Sequence, residues 1–501
     1  MEPTTVALHT GFQIGGVDPR IFGGFLEHMG RAVYEGVYEP NSSHADEDGF
    51  RTDVLEALRR LEMSVIRYPG GNFASGYHWR DGIGPPELRP TVRELAWQSI
   101  EPNRFGTDEY MKLCRKLRWE PMLTVNLGTG TPEEARDWVE YCNCPAGTKY
   151  ADMRIANGNA DPHAVKLWCL GNEMDGFWQL GHVPAEQYAI RAQQAAKMMK
   201  DTDRSIQLVA CGSCGVVMPT YMEWDRKVLE YVGDFADYLS LHRYVDNRNE
   251  DTPDFLAVTN AIDRQIEEMD AVCQFVQAKR HSNKRIYLCF DEWNVWYKNM
   301  QMNGEGKHAP HLIEEVYNLE DALVVAGFLN SFIRHADVVK IATIAQIVNA
   351  IAPILTRGDE MLIQSIFYSF EMFSRRGRGI SLRPAVAGPT YEGRTNGSVH
   401  YVDSSAILDG DKLHLFATNR SLEESASVRV TLADRAIAAL DSDQEYPGAE
   451  ILTGPGAKAA NSFEVPDVVT AHPFTDLKID RGEATVEMPP LSVLAITFRL
   501  G

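Results

Sequence analysis

The chain has 501 residues, 44% apolar and 24% charged, with eight cysteines and a formal net charge of −21 from 70 acidic and 49 basic side chains. That length exceeds one ordinary core, so two domains, or one large barrel with an accessory module, are expected. The acidic excess repels phosphate backbones and anionic surfaces, and no apolar run reaches the roughly 18 residues of a bilayer span, so neither nucleic acid nor membrane is an expected partner.

Eight β-like apolar runs come first along the chain: IFGGFLEH (21–28), MSVIRYPGG (63–71), PMLTVNLG (121–128), VKLWCLGNE (165–173), IQLVACGS (206–213), DYLSLHRY (237–244), RIYLCFDEW (285–293) and VVKIATIAQ (338–346). Helically spaced segments such as TDVLEALRRLEM, PAEQYAIRAQQAAKMMK and DALVVAGFLNSFIRHA lie between them. Eight strands alternating with helices, at roughly 45 residues per unit, predict an α/β fold built as a (β/α)8 TIM barrel over about 20–375. A doubly wound open sheet is the alternative that periodicity alone leaves. From about residue 376 the texture changes: SVHYVDSSAILDG, DKLHLFATNR, SASVRVTLAD and ATVEMPPLSVLAITFRL alternate apolar and polar residues between turn formers. This predicts a C-terminal antiparallel β-sandwich, jelly-roll-like, through 501. No Pro/Gly/Ser-rich linker precedes it, so firm packing of the two parts is expected.

Other local signals have plainer readings. NLGTGTPEEARDW could cradle phosphate, but Thr131, Pro132 and Glu134 read as N-cap, first position and first-turn acid of a helix. Cys211 and Cys214 form a CxxC without a second ligand pair at suitable spacing, so the cysteines are expected to be reduced core and loop thiols. His308 and His311 are a metal pair only if a third ligand joins them, and none lies nearby in sequence. The start, MEPTTVALHTGFQIGG, lacks a basic segment followed by an apolar one, so a cytoplasmic protein is expected and the sequons at Asn41, Asn396 and Asn419 should stay unmodified.

In a barrel, chemistry collects at the C-terminal ends of the strands. Those ends carry Glu27 and His28, then Arg67 and Asn72, Asn126, Asn172 and Glu173, His242 and Tyr244, Asp291 and Glu292, and Gln346 with Asn349. Burying so much polarity costs stability unless it binds something. Glu173 and Glu292 stand 119 residues apart, three strands around the barrel, so they should face one another across its mouth. Two opposed carboxylates suit glycoside hydrolysis, where one is protonated and the other ionised. Arg67 could hold Glu292 ionised, while Glu173, with less compensating charge, could keep its proton. Asn172 is placed to grip a hydroxyl beside the reacting carbon, and Trp97, Trp178 and Trp296 offer faces for a sugar.

These stretches, with FLEHMGRAVYEGVYEP, IRYPGGNFASGYHWRDGIGP, LAWQSIEPNRFGTDEY, LWCLGNEMDG, SLHRY, DEWNVWY and AQIVNAIAPI in one order over residues 25–354, resemble the family 51 glycoside hydrolases, the α-L-arabinofuranosidases. The resemblance implies that Glu173 is the general acid/base and Glu292 the nucleophile, with retention at the anomeric carbon. It implies that Glu27, Asn72, Asn172, Tyr244 and Gln346 line the pocket for a terminal furanose, that Arg67 and His242 support the pair, and that Trp97 and Trp296 lie near it. It also implies that residues 1–19 join the sandwich, that no metal or cofactor is needed, and that the chain assembles as a hexamer. The expected activity is exo-acting release of α-L-arabinofuranosyl units from arabinoxylan or arabinan oligosaccharides. A β-xylosidase or endo-β-glucanase on the same barrel, or a non-catalytic carbohydrate-binding protein, are the alternatives.

Overall fold

A computed structural model describes residues 1–442 and 445–501. Eight parallel strands, β1 (Gly23–Phe25), β2 (Val65–Tyr68), β3 (Glu120–Thr124), β4 (Leu167–Leu170), β5 (Gln207–Ala210), β6 (Tyr238–Val245), β7 (Tyr287–Val295) and β8 (Val339–Ala345), pair in that order, and β8 closes on β1. The open-sheet alternative is thereby excluded: the fold is a TIM barrel.

Strands such as LWCL of β4 are buried throughout because side chains fill one face and helices cover the other. Val65, Met122, Leu167, Cys169, Val209, Tyr238, Cys289 and Ile341, one or two from each of seven strands, form an apolar cluster of their own. Strand alternation makes these the inward side chains that fill the lumen. Two residues further along β2, β6 and β7 the same side carries Arg67, Ser240 and Asp291, so the barrel is oily below and polar above. The helix at Pro132–Asn143 starts as its sequence predicts: Thr131 Oγ1 accepts the Glu134 amide at 3.2 Å. The amides of Gly128, Thr129 and Gly130 all donate to Asn126 Oδ1 at 3.0 Å, so the glycine-rich turn is occupied by its own asparagine.

After the helix Ser365–Ser374 the chain enters two packed sheets. One runs Ala385–Ala387, Thr4–Leu8, Ala426–Leu432, Glu483–Met488 and Leu477–Asp480. The other runs Gln13–Gly16, Ile380–Leu382, Val402–Asp409, Lys412–Asn419, Ser492–Leu500, Ala449–Thr453 and Thr470–Pro473. Both N-terminal strands thus lie in the sandwich. One feature departs from the antiparallel expectation: Thr4–Leu8 runs parallel to Ala426–Leu432, from Thr4 opposite Val428 to Leu8 opposite Leu432. An alternating strand announces its faces but not its partner's direction, and the N-terminal segment reaches this sheet from outside the local run of hairpins.

Candidate active site

Strand β4 stops at Leu170 because Gly171 takes a left-handed conformation, φ +86°, which a side chain would strain. The turn lifts Asn172 and Glu173 over the barrel mouth, Glu173 itself at φ +45°. Glu292 comes from the upper part of β7. One carboxylate oxygen of each, together with His242 Nδ1, lie within 4.8 Å of one another.

Each carboxylate has its own donors. Arg67 Nη1 donates to Glu292 Oε1 at 2.8 Å and the Tyr244 hydroxyl to Oε2 at 3.0 Å. The same guanidinium donates to Asn172 Oδ1 at 2.6 Å through Nη2, lies 3.1 Å from Asp291 Oδ2 through Nε, and stacks 4.7 Å from the centre of the Phe25 ring. Glu173 Oε2 accepts the Trp178 indole N–H at 2.7 Å. Its Oε1 lies 3.0 Å from His242 Nδ1, whereas Glu292 has the Arg67 guanidinium as well as the same imidazole. His242 is a three-way bridge, with Nδ1 also 3.5 Å from Glu292 and Nε2 3.4 Å from Asp291. Burial alone would push the imidazole down; Glu292, Asp291 and Glu173 around it instead hold it well above the ordinary histidine value. Burial favours a neutral Asp291, but Arg67 and His242 hold it below the usual carboxylate range.

A third glutamate lines the same cavity. Glu27 Oε1 accepts the Phe73 amide and the Trp97 indole N–H, both at 2.9 Å, and Gln346 donates to Oε2 at 3.3 Å. Burial, with the Glu292 charge adding to it, pushes Glu27 up to about 8. Gly71, at φ +24°, is the residue that lets the chain pass: a Cβ there would sit 2.3 Å from Glu27 Oε2. Asn172 Nδ2 reaches Asn72 Oδ1 at 3.3 Å, linking the two sides.

Ten of the twelve residues singled out from sequence line one cavity of about 700 Å³: Glu27, Asn72, Trp97, Glu173, Trp178, His242, Tyr244, Glu292, Trp296 and Gln346. Arg67 and Asn172 are buried directly behind these lining residues: Arg67 touches Glu292 and Asp291, and Asn172 lies between Arg67 and Asn72. Trp296 stands edge-on to Tyr244, ring centres 5.5 Å apart, while Trp178 is half exposed at the rim. Two of the tryptophans therefore do more than offer a flat face, since Trp97 and Trp178 each hold a carboxylate by the indole N–H. Sequence reading missed Ser240, which donates to Asp291 at 2.5 Å, and the apolar rim of Leu95, Val216, Val217 and Met302. The CGSCG stretch was the available signal for that side of the rim. Among the described residues, Glu173, His242 and Glu292 form the cluster with the reach to hold a metal ion, but their oxygens already face Arg67, Tyr244 and Trp178. His308 and His311 do not converge: His308 tilts against the Tyr34 ring, and His311 pairs with Glu314 at 2.9 Å.

Residues 57–263 match the α-L-arabinofuranosidase 1 domain and residues 291–492 the α-L-arabinofuranosidase C-terminal domain. The chain is 46% identical to the intracellular exo-α-(1→5)-L-arabinofuranosidase of Acetivibrio thermocellus, over 85% of this chain and 86% of that one. It is 42% identical to intracellular exo-α-(1→5)-L-arabinofuranosidase 1 of Bacillus subtilis, over 98% of each. Among solved structures, a family 51 α-L-arabinofuranosidase from Bifidobacterium longum superposes over 100% of both chains with a TM-score of 0.94 at 36% identity. Fold and facing carboxylates together define a glycoside hydrolase. The chain belongs to the family 51 α-L-arabinofuranosidases.

Proposed function

We propose that the protein is a retaining, exo-acting α-L-arabinofuranosidase in which Glu292 is the nucleophile and Glu173 the general acid/base. The observation that carries this reading is the approach of one Glu173 oxygen to one Glu292 oxygen within 4.8 Å, at the base of a single cavity. Retaining glycosidases hold their carboxyl groups about 5–5.5 Å apart; inverting ones leave about 6.5–9.5 Å for a water. Glu292, gripped by Arg67, attacks the anomeric carbon as Glu173 gives its proton to the departing oxygen. Glu173, bare after that transfer, then takes a proton from water, which releases the sugar from Glu292. The steps need only the two carboxylates and water. Glu27, Asn72, Asn172, Tyr244 and Gln346 would bind the terminal furanose, Trp97, Trp178 and Trp296 would line its approach, and Arg67 with His242 would support the pair.

The substrates of this reading are α-L-arabinofuranosyl units on arabinan or arabinoxylan oligosaccharides, taken up and cut in the cytoplasm; the Acetivibrio and Bacillus relatives, named as intracellular exo-α-(1→5)-L-arabinofuranosidases, support the arabinofuranosyl bond and the compartment. The family resemblance supports a hexamer, which sedimentation equilibrium would read directly. The test of the reaction is a side-by-side assay on 4-nitrophenyl α-L-arabinofuranoside, the β-D-xyloside and a soluble β-glucan, with the first product's anomeric configuration followed by proton NMR. Dominant activity on the arabinofuranoside with retention is expected. Inversion, or preference for the xyloside or glucan, overturns the reading.

A further inference from the structure

The turn that carries Glu173 is held from beneath by the segment following β5. Met174 donates its backbone N–H to Cys211 Sγ at 3.3 Å, immediately after Glu173. One residue further, Asp175 is 4% exposed and accepts the Cys214 N–H at 3.2 Å on each of its oxygens. The intervening Ser213 is anchored in its turn, its amide donating to Asp225 Oδ1 at 2.8 Å and its hydroxyl to Oδ2 at 2.6 Å. Asp225 sits in the first turn of the helix Glu223–Val232, so the clamp is tied to the barrel's outer layer. The CxxC thus brackets the Glu173 turn, one thiol accepting and one backbone amide donating.

We propose that Asp175 is a positioning residue for Glu173: through the Cys214 amide it fixes the turn that carries the acid/base carboxyl group into the cavity. The proposal rests on the acid/base role of Glu173 stated above. The titratable groups facing Asp175 are Glu173 on its own turn, Cys214 and Cys211 after β5, Asp225 on the Glu223–Val232 helix, and His242 on β6. Burial places Asp175 at about 6, with the Cys214 bonds opposing and the Glu173 charge adding, so it is ionised above that pH. Burial, with Glu173 and Asp175 adding to it, pushes the Cys214 thiol far up, so it stays neutral and adds no charge to the balance. His242, held well above the ordinary histidine value, lies 3.0 Å from Glu173 Oε1.

Asp175→Asn and Asp175→Ala, made in the full chain, test this by kcat on an arabino-oligosaccharide and on 4-nitrophenyl α-L-arabinofuranoside. Asp175→Ala should lower kcat on the oligosaccharide about 10- to 100-fold while the activated aryl glycoside stays within about threefold, because only the poor leaving group depends on protonation. Asp175→Asn keeps an acceptor for the Cys214 amide and should recover most of the oligosaccharide rate. Both variants lose the charge and only alanine loses the acceptor, so the split between the two substrates should appear in the alanine variant alone. An Asn variant as slow as the Ala variant on the oligosaccharide overturns the proposal, as does an Ala variant equally slow on both substrates. If the Ala variant does not fold, Asp175→Glu, which keeps the charge but displaces the acceptor from the Cys214 amide, takes its place and should show the same split between the two substrates. The acid/base reading is tested separately by Glu173→Ala with azide: no azide rescue and no leaving-group dependence would remove that reading, whatever Asp175 does.

Discussion

Arg67 reaches Glu292, Asn172 and Asp291 from one planar group, and this geometry gives the two glutamates different work. A guanidinium presents several donors in a rigid fork, so the Glu292 carboxylate is aimed as well as neutralised. Glu292→Ala removes the nucleophile and should cut turnover of every substrate by about 10⁴-fold or more; steady-state rates on aryl and oligosaccharide substrates check it, and appreciable residual hydrolysis of either sinks the assignment. Glu173 has softer partners, an imidazole and an indole N–H. Its replacement by alanine should cost about 10²- to 10⁴-fold on sugars with poor leaving groups and far less on aryl glycosides, whose leaving oxygen needs little protonation. Equal losses on both would count against the acid role.

At the scale of one element, β7 explains how two neighbouring carboxylates both face the barrel interior. A regular strand would send Asp291 and Glu292 to opposite sides. Phe290 and Trp293 instead both point outward into the helix Leu319–Arg334, Phe290 lying 5.1 Å from Phe332 and Trp293 4.9 Å from Phe328 between ring centres. The register records the extra residue: Ser240 pairs with Cys289 but His242 with Glu292, and Phe290 pairs with Ala342 but Trp293 with Ile344. The bulge turns one inward position into two. Trp293→Ala should therefore lose about 3–5 kcal/mol of stability as a core truncation, and kcat should fall about tenfold or more as the bulge relaxes. Trp293→Phe, which keeps an outward ring, should recover most of both. Urea midpoints beside kcat measure it; an alanine variant that is destabilised but turns over normally would detach the bulge from catalysis. This is also where legibility in the sequence ended. DEW and GNE show at a glance as carboxylates ending apolar runs, because strand ends in a barrel have one place to be. That Asp291 and Glu292 share a side, that His242 touches three carboxylates, and that CGSCG seats the Glu173 turn all depend on which strands stand beside one another. Single-strand periodicity holds no record of that.

At the scale of the whole molecule, barrel and sandwich share a core. Phe416, Ile407, Leu452, Val469 and Val493 of the sandwich belong to the same buried apolar cluster as the barrel helices, and Phe373 stacks on Phe416 at 4.2 Å. Arg334, closing the helix Leu319–Arg334, joins Asp403 of the sandwich at 2.9 Å and Asp263 of the barrel at 3.1 Å. With so much apolar surface in common, neither part can unfold without exposing the other, so heat should give one transition in which activity and sandwich structure vanish together. A group inside the sandwich can then govern the fate of the active site. His414 is a buried residue of the strand Lys412–Asn419, its Nδ1 3.0 Å from Oγ1 of Thr497 on the neighbouring strand Ser492–Leu500. Burial, reinforced by Arg376 and Lys412, drives it from 6.5 down to about 4. Between those values the unfolded chain takes a proton that the folded chain refuses. The stabilisation is thus complete above about 6.5 and is lost as pH falls toward about 4, by about 3 kcal/mol over the whole window. Tm of the parent should drop across that range, with loss of activity on heating following it. In His414→Asn, which keeps a hydrogen-bonding side chain but cannot titrate there, the slope should flatten by that amount, and parallel Tm-against-pH curves for the two proteins would show that the histidine has no such hold.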